Sequence, residues 1–417
     1  MGDRSVNVEA KSAAIGGAAG ARPPALGGIR VVELANYIAG PSIGMLLADY
    51  GATVIKVESP EGGDGIRTWG NRKNDVGLYH KVLNRNKRSV TADLRTAIGR
   101  EIVRRLAATA DVVTESFRPG TLERWQLGFD VLRERNPGLI LVRVSGFGQT
   151  GPYRERAGFG ALAEAMTGFA YTNGFPDRPP LLPSFALADT TTGFAGAFLT
   201  LAALEARRTN GGVGQVVDLA IYESLLTLMG PHVIDHQLLG VVQERAGSRL
   251  PLIAPRGAYC TRDDKWIAIS AGADAAFKGL CTALELPALL SDARFADNQM
   301  RLKHWEALDA LLRPAFARID QETAMASLRR HGAPAAPIYN VADFTADPHV
   351  RARGDVVGVW DAELDCELRM QNVVGRLSET PGAVVAAGPA LGADNRRVLI
   401  DELAFSEAEL ADAGVAV

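Results

Sequence analysis

From residue 29 to residue 144 the chain alternates short apolar runs with segments of helical periodicity, and this alternation is the strongest constraint on its fold. The apolar runs lie at 29–34, 53–57, 89–94, 111–114 and 139–144. Between two of them, Ala97–Ala108 repeats its apolar residues at helical spacing. Strands that alternate with helices form βαβ units, whose parallel strands are covered by helices on both faces. We therefore predict an α/β fold with a large Rossmann-like domain and a mostly parallel sheet.

The texture of the sequence changes along the chain and divides it into five segments. Residues 1–26 are rich in Ala and Gly without an amphipathic period, which predicts a flexible arm. The large α/β domain is expected over 27–225, and the stretch at 226–250 predicts a linker. A hairpin-like pair of strands and three helical stretches predict a smaller α+β domain over 251–335. Residues 336–417 begin with a second linker and then return to β-like texture.

Composition excludes several classes of protein without indicating a function. The 417 residues include 45 Lys and Arg against 48 Asp and Glu, and the net charge of −3 gives no basis for binding nucleic acid or an anionic membrane. The three cysteines are widely spaced, which argues against a disulfide framework and for a reducing compartment. The histidines and cysteines form no zinc motif. We therefore expect a cytoplasmic protein that needs no metal.

A glycine-rich loop at Gly146–Gly151 (GFGQTG) matches the G-x-G-x-x-G pattern of dinucleotide sites. In such a site the third glycine opens a helix whose N-terminus binds pyrophosphate. Here the charged, non-periodic stretch Pro152–Arg156 follows, and the motif comes after the fifth strand instead of the first. The pattern favours a loop with exposed backbone, and a dinucleotide-binding oxidoreductase stays as the alternative from another enzyme class.

Two basic turns lie at the ends of predicted strands. Asn84–Ser89 (NRNKRS) precedes the third strand, and Glu115–Gly120 (ESFRPG) follows the fourth, with Arg124 shortly after it. Most basic turns of this kind only face solvent and bind no ligand. However, Lys and Arg bind phosphates, and the carboxyl edge of an open parallel sheet is where ligands usually bind. The pair of turns therefore also predicts a site for a phosphorylated small molecule.

Asp189 stands in the segment ALADTTTG, before a predicted helix of small and apolar residues. An aspartate at a helix start is typical of an N-cap. The alternative is a nucleophilic carboxylate that the helix N-terminus keeps ionised and that small neighbours leave open to a substrate. For Asp218, which follows a strand, we expect a capping or packing role.

Taken together, nine segments resemble the class III CoA-transferases, the family that includes formyl-CoA:oxalate and carnitine CoA-transferases. The resemblance covers the chain from about Gly27 to Gly392 and rests on the order and spacing of all nine. The segments are GIRVVELANYIAGP, LLADYGATVIKVESP, NRNKRSVTADL, ESFRPGTLERWQLGFD, SGFGQTGPY, ALADTTTGFAG, GQVVDLAIYESL, ARFADNQMR and DPHVRAR.

The resemblance implies an enzyme that moves CoA between carboxylic acids, with Asp189 as nucleophile. The intermediates would be an acyl–aspartyl anhydride and an aspartyl–CoA thioester, and CoA would be a substrate, with no separate cofactor. The resemblance also implies contacts with CoA at Ile38, Ala39, Asn86, Lys87, Arg88, Phe117 and Arg124. Succinyl-CoA with a small dicarboxylate is the preferred pair of substrates. The family fold is an interlocked homodimer in which the C-terminal part of each chain returns to the large domain.

The α-methylacyl-CoA racemases share this fold and use a histidine for proton exchange, where this chain has Phe159. Phenylalanine cannot carry a proton, which leaves racemase-like epimerisation as the less favoured alternative. Gly160 stands where many transferases have an acidic residue, so a second carboxylate is missing at that position. Glu164, one helical turn later, is a candidate substitute, although we expect such a glutamate to face solvent. A CoA-binding scaffold without catalytic activity is a further alternative.

Overall fold

The computed structural model describes residues 22–412 together with residues 415 and 416. The flexible arm predicted for residues 1–26 therefore lies, up to residue 21, outside the described residues. The chain divides into two compact units. Of the described residues, unit 1 comprises 22–156, Thr190–Ala220 and 357–412 with 415 and 416, and unit 2 comprises Ala157–Asp189 and Ile221–Val356.

The elements are numbered along the chain. The strands are β1 (Arg30–Glu33), β2 (Thr53–Glu58), β3 (Arg72–Lys73), β4 (Val76–Gly77), β5 (Arg88–Thr91), β6 (Val112–Glu115), β7 (Ile140–Ser145), β8 (Val216–Ala220), β9 (Arg256–Cys260), β10 (Trp266–Ser270), β11 (Ala335–Pro337), β12 (Val356–Asp361) and β13 (Cys366–Gln371). The α-helices are α1 (Ala39–Asp49), α2 (Leu78–Leu83), α3 (Ala97–Ala108), α4 (Thr121–Arg124), α5 (Phe129–Arg135), α6 (Gly160–Met166), α7 (Phe169–Thr172), α8 (Leu187–Thr209), α9 (Ile221–Leu226), α10 (His232–Leu239), α11 (Asp274–Ala283), α12 (Asn298–Lys303), α13 (Trp305–Phe316), α14 (Gln321–Arg330), α15 (Val341–Ala346), α16 (Pro348–Arg353) and α17 (Glu407–Asp412).

The boundaries of the two units differ from those of the predicted domains. Residues 157–189, which we predicted within the large domain, belong to unit 2, and so do the two stretches predicted as linkers up to residue 356. The predicted linkers contain α10, α15 and α16, and helix-start signals account for the last two. Asn340 caps α15 through a capping box, and Asp347 caps α16 with Pro348 at its first position.

Unit 1 contains the predicted parallel sheet. Among the residues that the structure describes, six strands form it in the order β5-β2-β1-β6-β7-β8, and every neighbouring pair is parallel. All six residues of β7 are buried, as expected for a strand that is covered on both faces. Because the strands are parallel, their carboxyl ends meet at one edge of the sheet, where ligands of α/β proteins usually bind.

The core of unit 1 joins the N-terminal strands to the C-terminal part of the chain. Ile102, Val103 and Leu106 of α3 are fully buried against strand residues such as Val32 and Ile55. Each buried side chain of this size stabilises the fold by roughly 1.5–3 kcal/mol. The same cluster includes residues from the end of the chain, namely Val398, Leu399, Phe405, Leu410 and Val415.

The helix α8 is long and apolar enough to cross a membrane by length and composition alone. Two of its glycines are pressed against α1 within unit 1. A Cβ atom at Gly193 would overlap Ser42, and one at Gly196 would overlap Ile43. Glycine at these positions lets the two helices approach this closely, and α8 packs within this unit from Thr190 onward.

Unit 2 contains the predicted hairpin, in which β9 and β10 pair antiparallel and β11 adds a third strand. Arg301 is fully buried there and satisfies several backbone carbonyls. Its guanidinium donates to the carbonyls of Ala254 (2.9 Å), Phe295 (3.2 Å) and Gly272 (2.6 Å), and pairs with Asp274 at 2.9 Å. One side chain thus fixes three separate turns around the core of this unit.

We expect Arg301→Met to lower the free energy of unfolding by about 3 kcal/mol or more, because it leaves three carbonyls and a carboxylate without their donor. The matched control is Arg294→Met, which removes an exposed ion pair with Asp292 and should leave the unfolding midpoint close to that of the unaltered protein. Urea unfolding followed by circular dichroism measures both. Equal unfolding midpoints for the two variants would contradict the structural role of Arg301.

Candidate active site

Asp189 lies inside the first turn of α8, as the third residue of that helix. The expectation that it precedes the helix is therefore wrong by three residues, and it is not the N-cap. A capping role falls instead to Glu164 of α6, whose Oε1 accepts a hydrogen bond from the N–H of Ala188 at 3.1 Å. The carboxylate of Asp189 is thus not required to cap the helix start.

Gly160 makes room for the carboxylate of Asp189. A Cβ atom at Gly160 would overlap Oδ2 of Asp189, and the N–H of Gly160 donates a hydrogen bond to the same carboxylate. With Asp189 in this position, no acidic side chain can stand at residue 160. Gly160, which departs from the pattern of many transferases, therefore provides the space that the Asp189 carboxylate occupies.

Glu164 is buried, with only 3% of its surface exposed, so the expectation that it faces solvent is wrong. The physical reason is its bond to the start of α8, which draws the side chain inward beside Asp189. Burial, followed by the charge of Glu164, raises the pKa of Asp189 to about 6. A carboxylate that has lost its hydration shell in this way is still ionised at neutral pH and is more basic than an exposed aspartate.

A separate cavity of about 350 Å³ opens in unit 1 at the carboxyl edge of the sheet. It is lined by residues that follow β1, β2, β5 and β6, as expected where four parallel strands end together. The lining residues are Leu34, Asn36, Tyr37, Val57, Glu58, Ser59, Gly63, Gly65, Ala92, Asp93, Leu94, Arg95, Phe117 and Trp125.

One wall of this cavity is aromatic, and an ion pair lies at its rim. Phe117, which was predicted as a binding residue, packs edge-to-face against Trp125 with the ring centroids 5.1 Å apart. Arg95 stands on the rim with 63% of its side chain exposed, and its guanidinium pairs with Asp93. Arg95 was not among the residues predicted from the sequence, although its position just after β5 was a usable signal.

The basic turn before β5 is built into unit 1. The ammonium of Lys87 is completely buried and donates to Glu33, Asn84 and the carbonyl of Pro41. A lysine that contacts a phosphate needs an ammonium that the ligand can reach, and the ammonium of Lys87 is enclosed by these partners. Arg88 pairs with Glu402 at 2.9 Å.

Asn86 fastens the C-terminal part of the chain to the same turn. Its amide donates to the carbonyl of Ala383 at 2.8 Å and accepts from the N–H of Val385 at 2.8 Å. Its backbone has a φ of 61°, a left-handed conformation that asparagine tolerates better than most residues. The predicted contacts of Asn86 and Arg88 with CoA stay predictions.

The remaining predicted contact residues come after the carboxyl ends of β1 and β6. Ile38 is buried immediately before α1, and Ala39 is the first residue of that helix. Arg124 is exposed at the end of α4, where it donates to the hydroxyl of Thr121 at 2.9 Å. No observation tests their contacts with CoA, which stay predictions.

The glycine-rich loop after β7 does not open a helix. Turns follow Gly151, and the next helix of the described chain is α6, which begins at Gly160. The loop is held by Asp218, whose carboxylate accepts from the N–H of Gln149 at 3.0 Å. This confirms the packing role expected for Asp218, and it provides no helix N-terminus for pyrophosphate.

Comparison with known proteins gives a family match over most of the chain. The profile described as CoA-transferase family III matches residues 26–395. The chain is 47% identical over 392 residues to succinyl-CoA–D-citramalate CoA-transferase of Chloroflexus aurantiacus, covering 94% of this chain and 97% of that protein. It is 35% identical to succinate–glutarate CoA-transferase of Agrobacterium fabrum, covering 91% and 96%.

A solved structure gives the same result for the fold. The crystal structure of a CAIB/BAIF family protein from Brucella suis superposes with a TM-score of 0.81 at 36% identity, covering 91% of this chain and all of that one.

We expect Glu164→Gln to lower the pKa of Asp189 below about 6, because the amide keeps the acceptor for Ala188 but removes the negative charge. Carbon-13 NMR of labelled aspartate carboxyls measures the pKa directly. Glu322→Gln, the same change at an exposed position of unit 2, is the control and leaves the titration unchanged. An unchanged pKa in Glu164→Gln would mean that burial alone sets the value.

Proposed function

The chain belongs to CoA-transferase family III, and from this premise we propose that Asp189 is the nucleophile that moves CoA from an acyl-CoA donor to a carboxylic acid. The observation that carries the proposal is the environment of this carboxylate. Asp189 is partly buried, and its carboxylate occupies the space that a side chain at Gly160 would fill. Its pKa is raised to about 6. These are properties of a reactive carboxylate more than of a structural cap.

The proposed reaction proceeds through four acyl transfers and consumes no proton. An oxygen of Asp189 attacks the thioester carbonyl of the donor, which releases the CoA thiolate and leaves an acyl–aspartyl anhydride. The thiolate then attacks the aspartyl carbonyl, the donor acid leaves as its carboxylate, and Asp189 holds CoA as a thioester. The acceptor carboxylate displaces the thiolate to form a second anhydride. The thiolate finally attacks the acceptor carbonyl and restores the carboxylate of Asp189.

We propose that the cavity at the carboxyl edge of the sheet takes the nucleotide end of CoA. Its volume of about 350 Å³ is at the lower end of ligand pockets, which suits one end of a long molecule. The rings of Phe117 and Trp125 offer an aromatic wall for adenine. Arg95 on the rim, together with the exposed Arg124, supplies positive charge for the phosphates.

The proposed substrates are succinyl-CoA as donor and a small dicarboxylate as acceptor. Two of the relatives above are named for such pairs, one with D-citramalate and one with glutarate. We further propose that the enzyme is an interlocked homodimer, as the family resemblance implies, and that it lies in the cytoplasm, as its widely spaced cysteines indicate. The racemase alternative finds no support, because Phe159 stands exposed before α6 and its benzyl group cannot exchange a proton.

We expect Asp189→Ala to reduce CoA transfer from succinyl-CoA to a panel of dicarboxylates by about 10⁴-fold, since the covalent route is lost. Asp177→Ala, at an exposed position of unit 2, is the control and keeps full activity. In the unaltered enzyme incubated with donor, hydroxylamine converts Asp189 into a hydroxamate that mass spectrometry locates. Turnover near the unaltered level in Asp189→Ala would refute the assignment.

The raised pKa of Asp189 predicts the acidic side of the pH profile. Only the ionised carboxylate attacks a thioester, and this form is lost as the pH falls through about 6. We therefore expect kcat/KM for the donor to fall about tenfold per pH unit below that value and to be level above it. Rates measured between about pH 5 and about pH 8, with circular dichroism as the check on folding, test this. A profile that stays level down to about pH 5 would contradict it.

A further inference from the structure

A buried cluster of charged groups lies beneath the loop of residues 35–41 in unit 1. The loop follows β1 and leads into α1, and Asn36 and Tyr37 on it line the cavity at the sheet edge. A second loop, reaching Gly65, packs its backbone against the ring of Tyr37. The position of this loop therefore shapes one wall of the cavity.

Lys56 holds the first end of loop 35–41. Its ammonium donates to the carbonyl of Ala35 at 2.7 Å and to Glu33 at 3.0 Å, and it pairs with Asp64 at 2.8 Å. Asp64 in turn accepts the N–H of Tyr37 at 3.0 Å. Burial opposes the charge on Lys56, but the carboxylates of Glu33 and Asp64 raise its pKa above the usual range.

Lys87 holds the other end of the loop. Its ammonium donates to the carbonyl of Pro41 at 2.7 Å, to both oxygens of Glu33 at 3.0 and 2.9 Å, and to Asn84 at 2.9 Å. The side chain is completely buried, and a Cβ atom at Gly44 would overlap an oxygen of Glu33. These partners engage all three N–H donors of the ammonium, so none is left for a phosphate.

The loop needs these supports because its backbone is strained. Tyr37 has a φ of 62°, a left-handed conformation that costs a bulky residue about 1–2 kcal/mol. Such a residue persists only where its surroundings fix it from several sides. Here the N–H of Asn36 also donates to the hydroxyl of Ser116 at 2.9 Å, so the strained residue is held on both sides.

We propose that Lys56 and Lys87 are positioning residues that hold the two ends of loop 35–41 through one shared carboxylate, Glu33, and that Lys87 shapes the CoA cavity without touching a phosphate. The proposal rests on the proposed function for the identity of the ligand. It gives Lys87 a role different from the direct CoA contact that the family resemblance implies.

The first test uses the unaltered enzyme and acetic anhydride, with mass spectrometry to read the acetylation of each lysine. Burial lowers the pKa of Lys87 to about 8, so its amine would react readily if reagent reached it. We expect Lys87 to stay unlabelled with and without CoA, while the exposed Lys278 is labelled in both. Labelling of Lys87 in the free enzyme together with protection by CoA would overturn the proposal.

The second test compares Lys87→Met with Arg95→Ala in binding adenosine and 3′-phospho-ADP by calorimetry. A displaced cavity wall weakens both ligands by the same factor, so we expect the ratio of their dissociation constants to be unchanged in Lys87→Met. In Arg95→Ala the phosphorylated ligand alone loses affinity. Loss confined to 3′-phospho-ADP in Lys87→Met would overturn the positioning role.

Hydrogen exchange separates this proposal from the proposed function. In Lys87→Met we expect the amides of residues 36–40 to exchange about tenfold faster or more, because one anchor of the loop is gone. This readout needs no ligand, so it tests the anchoring even if the unaltered enzyme binds neither nucleotide, an outcome that would count against CoA as substrate. Unchanged exchange in a folded Lys87→Met would refute the anchoring. If that variant does not fold, the acetylation test decides the question.

Discussion

Three strands of the parallel sheet end in glutamates that are out of reach of water, and the neutralisation of these carboxylates is the interaction on which unit 1 depends. The strands β1, β2 and β6 bring Glu33, Glu58 and Glu115 to the same edge. A buried carboxylate without a counter-charge costs several kcal/mol, so each requires a cation from elsewhere in the chain. Arg67 pairs with Glu58, Arg143 pairs with Glu115, and Glu33 is shared by two lysines. The near-zero net charge of the chain thus includes pairs of opposite charge that cancel each other at the edge of the sheet.

Features with a local cause could be predicted from the sequence. The helix predicted at Ala97–Ala108 has the same bounds in the structure, because its periodicity and its cap at Thr96 both lie within the segment. The parallel sheet followed from the apolar runs, since a strand covered on both faces needs apolar residues on both sides. Asp189 could be singled out because small residues surround it in the sequence itself.

Features with a tertiary cause could not be predicted in the same way. Glu164 reads as a solvent-facing residue of a helix, and only the approach of α6 to the start of α8 buries it. Lys87 reads as part of a basic turn, because its partner Glu33 lies 54 positions earlier in the chain. Arg95 reads as a loop residue until the ends of four strands enclose a cavity next to it. For Glu164 and Lys87 the decisive quantity is burial, and for Arg95 it is the neighbouring cavity; no short segment specifies either.

Gly160 has a consequence for how this chain can diverge from its relatives. Any side chain at residue 160 would occupy the space of the Asp189 carboxylate, so the two positions are sterically coupled. A side chain at residue 160 would therefore move the carboxylate of Asp189 away from its present position. With Glu164 already beside Asp189, an added acid would also crowd three negative charges into one partly buried space. Residue 160 and Glu164 thus act on the same carboxylate, residue 160 through the space that it leaves open and Glu164 through its charge.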